Sequence, residues 1–340
     1  MMKIALSELN QKRWTRFKKR KLAVLSLWVL VFFTFLSFTA EFWANSKPVV
    51  LSYKNTLYFP VIKNYHPKLF GIENAFVVDY RNLTLSKDDW ALWPPIQWDP
   101  FESNEKIESY PGEPTKTNLM GTDDRGRDLL TRLLYGHRYG MIYSCFVWLI
   151  TVVIGTILGA IMGFFGGRVD FLGQRIVEIL STVPQFFLLI IIISIFKPSI
   201  PLLIFISSLF GWIGISYYVR AEFLKNRKKE FVEAAVALGA SKFRQIFIHI
   251  LPNSLSPIIT FAPFVISSNI VGLASLDYLG FGLTPPTPSW GELLGQAQKN
   301  FTIGWWLAVY PSVALFLVLT LLSLIGDGVR DAMDPYLNER

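Results

Sequence analysis

Residues 139–167 contain no charged side chain, and no other stretch constrains the fold of this chain as strongly. About 20 apolar residues of helix cross a hydrocarbon core. Backbone amides left unpaired in lipid are costly, so the run reads as a membrane-spanning helix. Residues 22–40, 179–196, 201–219, 254–276 and 304–326 read the same way. None shows the period-two polarity of a barrel strand. The expected fold class is an all-α polytopic membrane protein with six transmembrane helices. Residues 22–40 follow a basic run, as a signal peptide would. Their 19-residue apolar stretch exceeds the roughly 7–15 of a signal core, and Thr39-Ala-Glu-Phe is a poor cleavage site, so an uncleaved anchor is expected.

Composition agrees. Only 17% of the 340 residues are charged and 52% are apolar, against roughly 25% charged in soluble domains. That balance excludes a disordered or nucleic-acid-binding chain. The formal net charge of +8 is explained by where the cations sit. Eight lie in the first 21 residues: Lys3, Lys12, Arg13, Arg16, Lys18, Lys19, Arg20 and Lys21. Seven lie in residues 220–252: Arg220, Lys225, Arg227, Lys228, Lys229, Lys242 and Arg244. Loops of opposite parity carry one each, Lys197 and Lys299. The asymmetry predicts cytoplasmic termini, at residues 1–21 and 327–340, and a cytoplasmic 220–252 loop inside a 139–326 core. Residues 41–138, with 12 Lys/Arg and 13 Asp/Glu, then fall on the far side as an ordered, loop-rich insert.

Familiar catalytic chemistry finds no footing here. Cys145 is the single cysteine, and His66, His137 and His249 are widely separated. No disulfide, thiolate metal site or redox pair can be built from them. The spans carry almost no ionisable groups, whereas ion-coupled carriers place carboxylates or histidines near the midplane. Energy must therefore come from elsewhere, and the chain lacks a GxxxxGK[ST] phosphate loop, so it is not expected to bind ATP in the usual way. Gly155, Gly159, Gly163 and Gly167 recur every fourth residue. Such a stripe admits a close helix, either of a partner subunit or of this chain.

In the 220–252 loop, residues 230–238 form a strong short helix, with two acids early and Gly239 where it would end. Ser241 can cap a second helix that stops near Pro252. The hairpin is either a docking element, with Ala234 and Ala235 leaving little bulk, or a connector lying on lipid.

Glu233-Ala234-Ala235-x3-Gly239 followed by Ile250-Leu251-Pro252 resembles the EAA loop of binding-protein-dependent ABC importer permeases. The resemblance implies that Glu233, Ala234, Ala235, Leu238, Gly239, Leu251 and Pro252 form the helix that docks on the ATPase. His249 before Ile-Leu-Pro matches the peptide-importer branch. Gly121, Thr122, Asp123, Gly126, Arg127, Asp128 and Arg132 resemble the GTDxxGRDxxxR signature of dipeptide and oligopeptide permeases. Physically that segment reads as an amphipathic helix on the outer surface, with Leu129, Leu130, Leu133 and Leu134 on one face. Asp123, Asp124 and Asp128 fit no metal loop, and Arg125 and Arg127 neutralise them. Leu279, Gly280, Gly282, Pro286, Pro288, Ser289, Trp290 and Gly291 resemble the family's loop facing the binding protein. Together these motifs cover residues 121–335.

Ser26-Leu-Trp, Ala44-Asn-Ser-Lys-Pro and Tyr58-Phe-Pro-Val-Ile-Lys-Asn-Tyr resemble a branch of peptide importers that also admits microcin C. The resemblance implies the type I (MetI-like) fold with a large periplasmic insert between helices 1 and 2. It also implies a multi-pass, non-catalytic subunit of the bacterial inner membrane. Its partners would be a second related permease, ATPase subunits that bind ATP and Mg, a periplasmic peptide-binding protein and membrane lipid. No cofactor is expected in this chain, and nickel or another small solute remains the alternative cargo.

Overall fold

The computed structural model describes residues 8–73 and 75–334. Lys3 and the last residues of the expected C-terminal segment, Pro335 included, lie outside them. The helices are α1 (Glu8–Lys19), α2 (Lys21–Phe38), α3 (Leu129–Phe165), α4 (Gly167–Ser181), α5 (Gln185–Ile195), α6 (Ile200–Asn226), α7 (Glu230–Ala237), α8 (Lys242–Arg244), α9 (Leu251–Ser254), α10 (Ser256–Tyr278), α11 (Trp290–Lys299) and α12 (Trp305–Met333). Five of them, α2, α3, α6, α10 and α12, are long and apolar enough to cross a membrane, and α4 with α5 makes a sixth candidate.

That sixth candidate is broken. α4 and α5 meet at 66° across residues 182–184. Thr182 closes α4 by donating its backbone N–H to Glu178 and Ile179. Pro184 then precedes α5 with an extended backbone, and as a proline it donates no N–H to α4 and disfavours helical geometry at Val183 before it. With 11 residues, α5 spans only about 16 Å. The straight helix expected over residues 179–196 is therefore the last turn of α4, the break at 182–184 and α5.

α3 also differs from expectation. It begins at Leu129 and runs 37 residues, about 55 Å, well past a hydrocarbon core of roughly 30 Å. Leu129 and Leu133 are buried, but so are Thr131 and Arg132 between them. Residues 129–134 are thus the first turns of this helix, enclosed on all sides, and not a separate surface helix.

Two compact units divide the chain. In the unit holding residues 141–276, α3 lies against α6 through its glycines. A Cβ at Gly155 would stand 2.8 Å from Trp212 O, at Gly159 2.6 Å from Ser216 O, and at Gly163 2.6 Å from Phe223 Cβ. These three glycines therefore serve packing within the chain. Gly167 does not join them: its φ is +54°, nothing lies near its missing Cβ, and with Gly166 it forms the turn into α4. Arg220 pairs with Asp170, joining α6 to α4. Around these contacts Ala160, Val219, Phe223, Val232, Ile250 and Ile258 form a core.

The unit holding residues 32–140 and 277–315 contains an antiparallel sheet of three short strands, ordered β2-β1-β3: β1 (Val50–Tyr53), β2 (Thr56–Tyr58) and β3 (Trp90–Leu92). Lys54 and Asn55, with φ of 49° and 61°, make the tight β1–β2 turn that such a hairpin needs. Leu51, Tyr53, Phe70, Val78 and Tyr80 form the core of this segment. Arg138 on α3 forks onto Glu41 at 2.7 and 2.8 Å and donates to Ser37 O, fixing the end of α2.

Gly159→Leu should be poorly tolerated, because backbone rather than a movable side chain meets the new atoms. A loss of about 1–3 kcal/mol is expected. Gly214, with nothing within 4 Å of its missing Cβ, is the internal control. Thermal melts of the purified chain should show Gly159→Leu lowered and Gly214→Ala unchanged or raised.

Candidate coupling and docking sites

The Gly-Thr-Asp segment folds as a buried loop. Gly121 and Gly126 hold φ near +79° and +77°, where a side chain is strained. Space is also lacking, since a Cβ at Gly126 would sit 2.4 Å from the Tyr110 ring. Thr122 receives Gly112 N–H on its hydroxyl at 2.8 Å, and its carbonyl accepts from Trp306 Nε1 at 3.1 Å. Asp128 caps α3, accepting from Thr131 N at 2.8 Å and from Asn118 Nδ2 at 2.9 Å. Burial nevertheless pushes its carboxyl above the usual aspartate range.

Between these anchors lie four charges that cancel. Asp123 accepts from Arg127 Nε at 2.7 Å and lies 3.2 Å from Arg132 Nε. Arg127 Nη2 reaches Glu292 at 3.2 Å, and Arg132 Nη2 forms a short bond to the same carboxylate. Arg132 also donates to Pro100 O at 2.9 Å and Pro286 O at 3.2 Å. Asp123 and Arg132 are fully buried. Burial works against the Arg127 charge, yet Asp123 and Glu292 outweigh it and raise its affinity for the proton. Among the described residues no cluster of His, Cys, Asp or Glu is placed to hold a metal ion.

Glu292 belongs to α11, and the loop before α11 is clasped by Asp277. Its carboxylate accepts Leu283 N–H at 2.5 Å and a short bond from the Ser289 hydroxyl. Gly282 has no room for a Cβ, which would fall 1.7 Å from Asp277 Oδ1. Ser289 caps α11 by accepting from Glu292 N. The Ser-x-x-Glu spacing suggests a reciprocal capping box, but the Glu292 side chain goes to the arginines instead. Trp290 donates to Leu133 O at 2.9 Å and stacks on His137, and Pro288 and Gly291 are buried beside it. Only Leu279, Gly280 and Pro286 of the eight loop residues are exposed.

The hairpin of residues 230–254 is built differently. Gly239 has φ +81°, its N–H bonds Val236 O, and Ala240 N–H bonds Ala235 O, both at 2.9 Å. That pair of bonds is a Schellman ending. Ser241 caps the next helix, accepting from Arg244 N at 3.4 Å. That helix does not stop at Pro252. It widens to a π-helix over Gln245–Ile250 and continues through Ser254. Pro252 cannot donate to the carbonyl four residues back, and the wider turn accommodates the loss. Val232 and Ala235 are buried on the chain's own side, with Leu251 packed against the same core. Glu233, Ala234 and Leu238 are exposed, Leu238 at 89%. Arg227, just before α7, donates to Gly163 O at 3.1 Å and Phe164 O at 3.0 Å, closing the carbonyl end of α3.

Sequence reasoning treated Arg220 and Arg227 only as topology charges and gave Glu292 no role. Their partners are 50, 64 and 160 residues away. A cavity of about 260 Å³ also opens among α3, α5, α6 and α10. Its polar lining is uncharged: Tyr143, Thr151, Gln185, Ser207, Ser268 and Asn269.

Charge-free spans, a helix–Gly–helix hairpin with an exposed face and a sealed ionic motif are the features of a polytopic membrane protein that comparison with known proteins places in a family. Residues 155–339 match the family described as binding-protein-dependent transport system inner membrane component. Residues 9–63 match the N-terminal transmembrane domain of oligopeptide transport permease C. The chain belongs to this family of ABC importer permeases, whose members are non-catalytic, multi-pass inner-membrane subunits. It is 39% identical to the inner membrane ABC transporter permease protein YejE of Escherichia coli, over 97% of this chain and 98% of that one. Identity to the peptidoglycan transport system permease protein YejE of Agrobacterium fabrum is 36%, covering 97% and 93%. The oligopeptide permease OppC of Haemophilus influenzae is 36% identical, covering 70% and 74%. Among solved structures, a chain of the inward-facing MetNI methionine ABC transporter aligns with TM-score 0.50 at 18% identity, over 60% of this chain and 97% of its own. The fold is therefore MetI-like.

Neutralising Glu292 leaves the sealed Arg127 and Arg132 with Asp123 as their one remaining carboxylate partner, a loss of about 3–5 kcal/mol. Glu292→Gln should lower the melting temperature and the yield of folded protein. Arg132→Met with Glu292→Leu should recover much of the loss. Strictly additive losses in that cycle would mean the pair is not coupled.

Proposed function

We propose that this chain moves peptides across the inner membrane as one permease of an ATP-driven importer, with α7 seated on an ATPase subunit. The observation that carries this reading is the Schellman-ended α7, anchored by Val232 and Ala235 and offering Glu233, Ala234 and Leu238 outward. A rigid, small-residue face held by its own core suits transmission of a rigid-body push. ATP binding by the ATPases would move this hairpin and switch the spans between inward-facing and outward-facing states. The Lys/Arg asymmetry supports cytoplasmic termini and a periplasmic 41–138 insert. A second permease would complete the path, and a periplasmic binding protein would deliver cargo to the loop containing Leu279, Gly280 and Pro286.

Peptide cargo is supported by relatives named for oligopeptide, dipeptide and peptidoglycan transport, which leaves nickel the weaker alternative. A microcin C-like peptide fits the same class. The uncharged amide and hydroxyl lining of the 260 Å³ cavity suits peptide backbone groups of any sequence.

Ala234 is the position to test. Ala235 is buried, so a tryptophan there would disturb the chain's own core as well as any docking face. Ala234→Trp should insert and fold normally while abolishing stimulation of ATP hydrolysis by peptide-loaded binding protein. Gly239→Val forces a β-branched residue into the left-handed region at about 1–2 kcal/mol and should weaken coupling in the same direction. Wild-type stimulation in both variants would contradict docking at α7.

A further inference from the structure

The cations of α1 divide into two groups. Its arginines are engaged within the chain: Arg13 Nη2 donates to Ser256 Oγ at 3.3 Å, and Arg16 Nη1 to Asp334 O at 3.0 Å. Arg20, in the break before α2, pairs with Asp331 at 2.7 Å. Phe17 is buried beside Ala23 and Ala332, which fixes the inner face of the helix. The lysines do the opposite. Lys12, Lys18, Lys19 and Lys21 are exposed and form no ion pair among the described residues. Trp14 is 49% exposed, stacked on Phe17, with Lys18 Nζ 5.2 Å from its ring.

Position gives these lysines their meaning. α2 follows after one residue, and its Leu22, Leu25 and Trp28 are exposed, as in a span that faces lipid. α1 is therefore held at the membrane surface, where an indole settles at headgroup level and unpaired lysines meet anionic headgroups. We propose that α1 and the first residue of α2 bind anionic phospholipid, with the exposed Lys12, Lys18, Lys19 and Lys21 meeting the headgroups and Trp14, under Lys18, at their level. Bound lipid would steady the entry of α10, which Arg13 grips at Ser256 directly after the 230–254 hairpin. The chain's coupling efficiency then depends on the charge of the surrounding lipid.

The test uses the full chain, first alone and then with its ATPase partners. Short-chain phosphatidylglycerol should raise the melting temperature of the purified permease more than phosphatidylcholine does, and inorganic phosphate should not. Lys12→Gln/Lys18→Gln/Lys19→Gln/Lys21→Gln should lose that difference, and the arginine counterparts should keep it. In vesicles, phosphatidylglycerol should raise coupled hydrolysis several-fold over pure phosphatidylcholine for the wild type and not for the quadruple glutamine variant. The increment should shrink at high salt. If the quadruple variant fails to insert, Lys18→Gln/Lys19→Gln must still lose a clear part of the melting shift. An unchanged lipid response in the glutamine variants, or an equal shift with inorganic phosphate, would overturn the proposal. Failure of the peptide-transport reading would instead abolish uptake in both lipids and leave the melting shift intact.

Discussion

Hydrocarbon solvates neither a charge nor an unpaired amide, and the rest of this structure follows from that. The apolar interiors of the spans hold no Asp, Glu, Lys or Arg, the side chains on which ion-coupled carriers usually rely at the midplane. Nor does the hydrophobic effect hold one span to another in lipid. Close van der Waals contact replaces it, and Gly155, Gly159 and Gly163 provide that contact against α6. Helices packed this closely have little slack between them.

Charges gather instead at helix ends, where each has a mechanical task. At the first turn of α3, Asp128 caps the helix while Asp123, Arg127, Arg132 and Glu292 bind the preceding loop to α11. At its last turn, Arg227 closes the free carbonyls of Gly163 and Phe164. A salt bridge sealed from water adds little net stability, but removing one member is severe. Such clusters fix the geometry of the loops they hold.

Much of this was legible in the sequence, for local reasons. Charge-free runs located the spans, and the alanine-to-glycine ending of α7 announced a left-handed residue at Gly239. What escaped notice depended on distant partners or on apolar camouflage. Glu292 reads as an ordinary capping acid until Arg132, 160 residues away, claims it. The break before Pro184 falls within the expected 179–196 span, where Ile179, Leu180 and Val183 lead towards the apolar run of α5 and hide the bend. The three strands of the insert have only three or four residues each, too few for alternation to register. The outer motif looked amphipathic because its leucines recur at helical spacing. The polar residues between them are buried too, by partners from residues 98–118 and 286–306.

Energy source is the point on which the functional reading stands or falls. The direct measurement is peptide uptake into proteoliposomes holding this permease with the proposed second permease, ATPases and binding protein. ATP is held constant while an uncoupler collapses the proton gradient. Uptake that continues at its full rate, and stops only when ATP is withdrawn, is the expected result. Loss of uptake on collapsing the gradient alone would contradict it.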